Sequence, residues 1–98
     1  MYIKIHESYR KVVALADADL IGKTFEEGKR QLSITENFYK GKLFEEEKAI
    51  ETLKGLALDD ATFNIVGEES VRIALKAKII SKDMIGNVQN IPFALVLL

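Results

Sequence analysis

Ninety-eight residues, a formal net charge of −1 and no cysteine describe one domain with a modest core and exclude disulfides, thiolate nucleophiles and Cys-ligated zinc or iron–sulfur centres. The near-neutral balance lacks the clear excess of basic residues usual in nucleic-acid-binding domains. The N-terminal stretch has no basic n-region followed by a long apolar run, and the longest apolar run, 91–98, is far short of the ~20 residues of a membrane-spanning helix, so a cytoplasmic protein without membrane contact is expected.

In chain order, Tyr2-Ile3-Lys4-Ile5-His6 alternates with the period of a half-buried strand, Ile3 and Ile5 on one face and Tyr2, Lys4 and His6 on the other. After Glu7-Ser8, residues 9–16 read as a second extended segment, apolar on both faces at Val12 to Ala16 and paired with the first as a hairpin. Asp17-Ala18-Asp19-Leu20-Ile21-Gly22 breaks the run and suits a helical turn between an aspartate and a glycine. Residues 23–26 and 31–34 predict two short strands around Glu27-Gly28-Lys29-Arg30, followed by a turn at Phe38-Tyr39-Lys40-Gly41.

A helix is predicted over 44–58, with Ala49, Ile50, Leu53, Leu56 and Ala57 as its apolar stripe and Glu45, Glu46 and Glu47 at the positive end of its dipole. Residues 61–66 read as a short strand, and Gly67-Glu68-Glu69 opens a second helix to about Lys78 with Val71, Ala74 and Leu75 inward. A strand is expected at 84–88 and another at 91–98, the last so uniformly apolar that it should be buried on both faces, centrally or beneath a partner chain. Strands grouped first, then two main helices, then terminal strands predict a single α+β domain over 1–98 with a small mixed, mostly antiparallel sheet.

The chemistry-bearing residues are few, and no dinucleotide, P-loop, nucleophile-elbow, zincin or calcium-loop motif occurs. His6, the only histidine, is a general base or metal ligand only if carboxylates converge on it. Asp17 and Asp19 would share a face and grip a hard cation if the chain stayed extended; if Asp17 caps a turn, the preferred reading, the pair is structural. Lys23 could neutralise either aspartate or contact phosphate. Phe38, Tyr39 and Lys40, with Lys29, Arg30 and Lys42 nearby in sequence, form the best case for a nucleic-acid surface, aromatics stacking on bases and cations meeting phosphates. The preferred reading is that both aromatics pack beneath the turn, since aromatics are mostly core residues. Asn64 and Glu68 flank Gly67 where free helix N–H groups meet anions, although Glu68 and Glu69 already supply negative charge there. No cofactor and no metal is expected.

Four segments, Asp17-Ala18-Asp19-Leu20-Ile21-Gly22-Lys23, Phe38-Tyr39-Lys40-Gly41, Asn64-Ile65-Val66-Gly67-Glu68 and Ile91-Pro92-Phe93-Ala94, stand in this order, and together the chain resembles the archaeal domain-of-unknown-function family 424 along essentially its whole length. Two positions depart from that family's common pattern: Ala16 stands where a cysteine is frequent and Phe93 where a histidine is frequent. The resemblance implies no activity; family members are often encoded beside translation factors, which implies a place near RNA or the translation machinery.

The leading expectation is a non-catalytic binding domain that meets RNA or the translation machinery through Lys23, Lys29, Arg30, Phe38, Tyr39 and Lys40. A second is a protein-interaction or self-assembling (homo-oligomeric) module paired through its C-terminal strand. A third is a small enzyme or ligand-binding domain centred on Asp17, Asp19, Lys23 and His6.

Overall fold

Alternation along Tyr2–His6 (β1) and the unbroken apolar run Val12–Ala16 (β2) give an antiparallel pair, with Tyr2 opposite Ala16 and His6 opposite Val12. The computed structural model describes residues 1–97. A 3₁₀ turn at Ala18–Leu20 follows, then a two-stranded hairpin of Thr24–Glu27 (β3) and Arg30–Ser33 (β4), a one-turn helix Glu36–Tyr39 (α1) and a two-residue strand Lys42–Leu43 (β5). Glu46–Leu58 (α2), Thr62–Val66 (β6), Glu68–Lys76 (α3), a 3₁₀ turn at Lys82–Met84, Gly86–Val88 (β7) and Ile91–Val96 (β8) complete the order.

Six strands form one sheet in the order β5-β1-β2-β6-β8-β7, and β3 and β4 form a separate pair. Neighbours run antiparallel except at the centre, where β2 and β6 are parallel with Ala14 opposite Asn64 and Ala16 opposite Val66. The parallel pair needs a long crossover, and residues 17–61 supply it. The expected α+β architecture with a mixed, mostly antiparallel sheet and two main helices is therefore the one observed.

One face of the sheet, through Ile3, Val13, Leu15, Phe63, Ile65 and Ala94, packs on Ala49, Leu53 and Leu56 of α2 and on Val71, Ile73 and Ala74 of α3. Burying side chains such as Leu53, Phe63 and Ile65 contributes about 1.5–3 kcal/mol each. Outside this core, Glu46 in the first turn of α2 accepts from Arg72 and Lys76 of α3, both at 2.6 Å. The opposite face carries a smaller core in which Ala16, Leu20, Ile34 and Val66 are buried against Phe25, Leu32, Tyr39, Ile91 and Phe93. The hairpin is held to the β7–β8 turn there: Gln89 donates its backbone N–H to Glu27 Oε1 at 2.7 Å and its side-chain amide to Glu26 O at 2.6 Å.

Three sequence expectations change. The turn at Phe38–Gly41 is in fact the end of helix α1, whose start is capped by Thr35 Oγ1 accepting from the Phe38 N–H at 3.3 Å. The inner stripe of α2 is narrower than its apolar residues suggest: Ala49, Leu53 and Leu56 are buried, whereas Ala57 is exposed. The last strand is not buried on both faces. Only Ala94 of β8 is buried, Leu95 and Leu97 are exposed, and β7 covers the strand only from Ile91 to Phe93. Leu98, expected in the same strand, lies outside the described residues.

Candidate functional site

The carboxyl ends of the two parallel strands are where an α/β crossover most often builds a ligand site, and the first conspicuous aspartate sits there. Asp17 leaves β2 immediately before the 3₁₀ turn, yet its side chain makes no capping bond to that turn. It reaches instead to α3, 52 positions on. Oδ2 accepts from the Glu69 N–H at 3.0 Å, and Oδ1 accepts from the Ser70 N–H and the Ser70 hydroxyl, each at 2.8 Å. Two of the orphan amides at the N-terminus of α3 and the fully buried Ser70 hydroxyl are thereby satisfied by one carboxylate, whose charge also suits the helix dipole. The expected cap on the 17–22 turn is therefore not made; the carboxylate caps α3 instead, a helix remote in sequence.

Gly67 makes this approach feasible. It sits at φ 109° and ψ 155°, a region open essentially to glycine alone. A Cβ built there would lie 2.3–2.5 Å from the Asp17 carboxyl group. Gly67 also donates its N–H to Pro92 O at 2.9 Å, so the first, third and fourth recognised segments meet at one place. The second arrives from the other side, with Tyr39 packing into the small core alongside Phe93 and Val66. Burial raises the Tyr39 phenol above its ordinary pKa.

Two polar side chains of β1, Lys4 and the candidate His6, hold α1 down. Lys4 Nζ donates to Asn37 O at 2.6 Å, and His6 donates from Nε2–H to Phe38 O at 2.8 Å, since a carbonyl can only accept. Both bonds cover carbonyls in the last turn of α1. The Phe38 ring stacks on His6 with centroids 4.7 Å apart and meets Tyr39 edge-on at 4.9 Å. Gly41 then passes so close to β1 that a Cβ would fall 2.3 Å from Ile3 O.

These placements separate the predicted site residues. His6 is opposite Val12 and Asp17 follows Ala16 at the other end of the β1–β2 hairpin, five chain positions or roughly 16 Å along the strand, so a centre drawing on His6, Asp17, Asp19 and Lys23 together is not formed. Asp19 is exposed on its turn, while both Asp17 oxygens are taken by α3, and the two do not make a cation grip. No cluster of three or more His, Asp or Glu side chains suited to a metal occurs among the described residues. Glu68 is exposed at the first position of α3, and Asn64 is half-buried between Ala14 and Leu95. Phe38 and Tyr39 are half-buried and engaged internally, which is the packed arrangement preferred for this pair and removes them from the expected binding face. Lys23, Lys29, Arg30 and Lys40 are exposed, and none is in an ion pair among the described residues; Arg30 makes one long hydrogen bond, 3.4 Å, to Asn87 O.

The opposite end of the sheet, where β1 and β8 finish and β2 and β6 begin, has a different character. An open cleft of about 460 Å³ lies there between Lys54, Ala57, Leu58, Asp60, Ala61, Phe63, Ala77, Lys78, Ile79 and Val96. Leu58 is 87% exposed, Leu97 73%, Leu95 50% and Ile5 42%, and Tyr9 stands fully exposed on the β1–β2 loop. Sequence reading passed over Leu58, although its place outside the stripe of Ala49, Leu53 and Leu56 is a signal of exposure.

A solved structure is similar throughout: an uncharacterized conserved protein from Methanopyrus kandleri superposes with a TM-score of 0.87 at 27% sequence identity, covering 97% of this chain and 88% of that one. No curated protein matches the chain. The family described as "Protein of unknown function (DUF424)" matches residues 5–98, in agreement with the resemblance carried by the four segments. The chain belongs to that family.

Proposed function

We propose that this domain is a non-catalytic protein-interaction module that works in the cytoplasm through the open end of its sheet. The observation that carries the reading is the gathering of exposed apolar side chains there. Among the described residues, five of the seven exposed large hydrophobic side chains, Ile5, Tyr9, Leu58, Leu95 and Leu97, belong to this end; Leu58 lines the cleft on the helix-covered face, whereas Leu95, in register with Asn64, lies on the other face of the sheet. Water-exposed apolar surface concentrated at one place is the usual mark of a contact site. The commitment of Asp17 and His6 to backbone groups is in keeping with a non-catalytic role.

A second reading, contact with RNA or the translation machinery, draws on one further observation: Lys23, Lys29, Arg30 and Lys40 are exposed without an ion-pair partner among the described residues. Contact by phosphate alone would make it steeply salt-dependent. One experiment separates the two. The tagged protein is incubated in cell extract with and without ribonuclease, beside the variants Leu95→Lys/Leu97→Lys and Lys29→Glu/Arg30→Glu. Protein capture that survives nuclease and is lost in the leucine variant supports the interaction module. Capture abolished by nuclease and by the charge reversal, but not by the leucine change, overturns it in favour of RNA.

A further inference from the structure

The ladder geometry identifies which backbone groups of β8 are unused. Gln89 and Asn90 have φ of 50° and 64°, the signature of a two-residue type I′ hairpin turn, so the flanking Val88 and Ile91 exchange both their hydrogen bonds. Bonds then alternate along an antiparallel ladder. Ile91 and Phe93 direct their N–H and C=O groups to β7, while Pro92, Ala94 and Val96 direct theirs to β6. The Gly67 N–H donating to Pro92 O agrees with this phase, and it places the proline where its missing N–H faces inward beside β6. By the same alternation Leu95 turns its N–H and C=O away from β6; β8 and its ladder end at Val96, and the phase carried one residue further gives Leu97 the same direction. β7 ends its pairing at Phe93, and the chain that precedes it bonds within itself, Met84 N–H to Ser81 O and Ile85 N–H to Lys82 O. The groups of Leu95 and Leu97 therefore have no backbone partner among the described residues.

The two outermost strands of the sheet are blunted. β5 is two residues long and carries Lys42, and β7 is three residues long, both usual protections against edge pairing. Residues 91–98 contain no charged side chain. An apolar strand end with open backbone groups and exposed leucines on one face has the properties of a pairing edge.

Resting on the interaction reading above, we propose that the partner is a second copy of this chain, joined antiparallel through β8 about a two-fold axis at Val96. In that register Leu95 of each copy faces Leu97 of the other. Each of these pairs is hydrogen-bonded, so the four open N–H groups meet the four open C=O groups of the same two residues. The leucine side chains meet on one face, and no charge is opposed by its own copy. A two-fold pairing needs one self-complementary surface, and this edge is self-complementary in hydrogen bonding, shape period and charge. The two sheets become continuous.

Three measurements on the full chain test this. Sedimentation velocity across a concentration series shows a monomer–dimer equilibrium. Leu95→Pro removes an outward-facing donor, a change an edge strand tolerates; it weakens dimerisation by at least about tenfold while circular dichroism and the unfolding midpoint stay close to those of the parent. Val96→Cys, placed in a chain that has no other cysteine, oxidises to a disulfide-linked dimer because the two Val96 positions face each other as a close non-hydrogen-bonded pair. Should Leu95→Pro perturb the fold, the Val96→Cys cross-link still decides the point. A protein that sediments as a monomer at every concentration and yields no cross-link overturns the second copy as partner. If such a monomer still captures protein from nuclease-treated extract in a manner lost with Leu95→Lys/Leu97→Lys, the self-pairing falls but the interaction reading stands.

Discussion

At the carboxyl ends of β2 and β6, the residues that look chemically interesting in sequence finish in internal bonds; at the opposite end of the same strands, apolar side chains are left uncovered. Asp17 serves Glu69 and Ser70, Gly67 leaves room for it and reaches Pro92, and Tyr39 packs beneath the β3–β4 hairpin. Leu58, Leu95 and Leu97 serve no comparable purpose in the monomer. The contrast teaches that a concentration of recognisable motifs marks a demanding piece of folding as readily as a ligand site. The four segments converge because a parallel strand pair, a helix start, a hairpin and an aromatic turn must meet there.

The largest effect should come from Gly67→Ala. The residue would be forced into a glycine-only conformation and against the Asp17 carboxyl, and the expected loss is about 3 kcal/mol or more in urea-unfolding free energy. A variant as stable as the parent would show that Asp17 is easily displaced and reopen this end as a site. Asp17→Ala comes next, at about 2–3 kcal/mol, since it strands two amides and the buried Ser70 hydroxyl together. A double-mutant cycle with Ser70→Ala should be strongly non-additive; additivity would mean the two do not act as a unit.

His6→Ala should cost about 1 kcal/mol, the worth of one hydrogen bond to the α1 carbonyl, and should loosen Phe38. At the open end Leu95→Lys should change stability by less than about 0.5 kcal/mol while abolishing association. That pairing of outcomes, stability at one end and binding at the other, sharpens the contrast most.

The smallest effect is a pH slope. Hydrogen bonds from Lys76 and Arg72 hold the Glu46 carboxyl below its ordinary pKa. A carboxylate depressed in the folded state contributes stability above its unfolded pKa and loses it as pH falls through the folded value. Glu46→Gln should therefore flatten the acid limb of the stability–pH curve, and the effect should shrink in high salt because all three groups are solvent-exposed. For Tyr39 the sign reverses. Its raised pKa means that stability is full below the ordinary phenol pKa and falls as pH rises through the higher folded value, a loss that Tyr39→Phe should remove.

Much of the fold was legible because its signals are local. Alternation over Tyr2–His6, the stripe Ala49, Leu53 and Leu56, and the charged break at 27–30 each specify an element within a few residues. The Asp17 clamp was not, because its partners are 52 and 53 positions away and no local pattern records such a contact. Phe38 was legible only in part for a related reason: aromatic and lysine neighbours suit both an exposed stacking platform and a packed turn, and the placement of His6 against the Phe38 ring decides for the packed turn. The C-terminal strand was read as doubly buried because a uniform apolar run usually is. Its neighbour β7 stops at Phe93, a length that the sequence of β8 does not contain.

Backbone amide exchange followed by NMR at two protein concentrations tests the contrast most directly, since it reads both ends in one sample. The Glu69 and Ser70 amides should exchange near the rate set by global unfolding at either concentration, and those of Leu95 and Leu97 should exchange freely when dilute and become protected when concentrated. Fast exchange at Glu69 and Ser70, or equal protection of Leu95 and Leu97 at both concentrations, would contradict the division of this molecule into a closed end and a binding end.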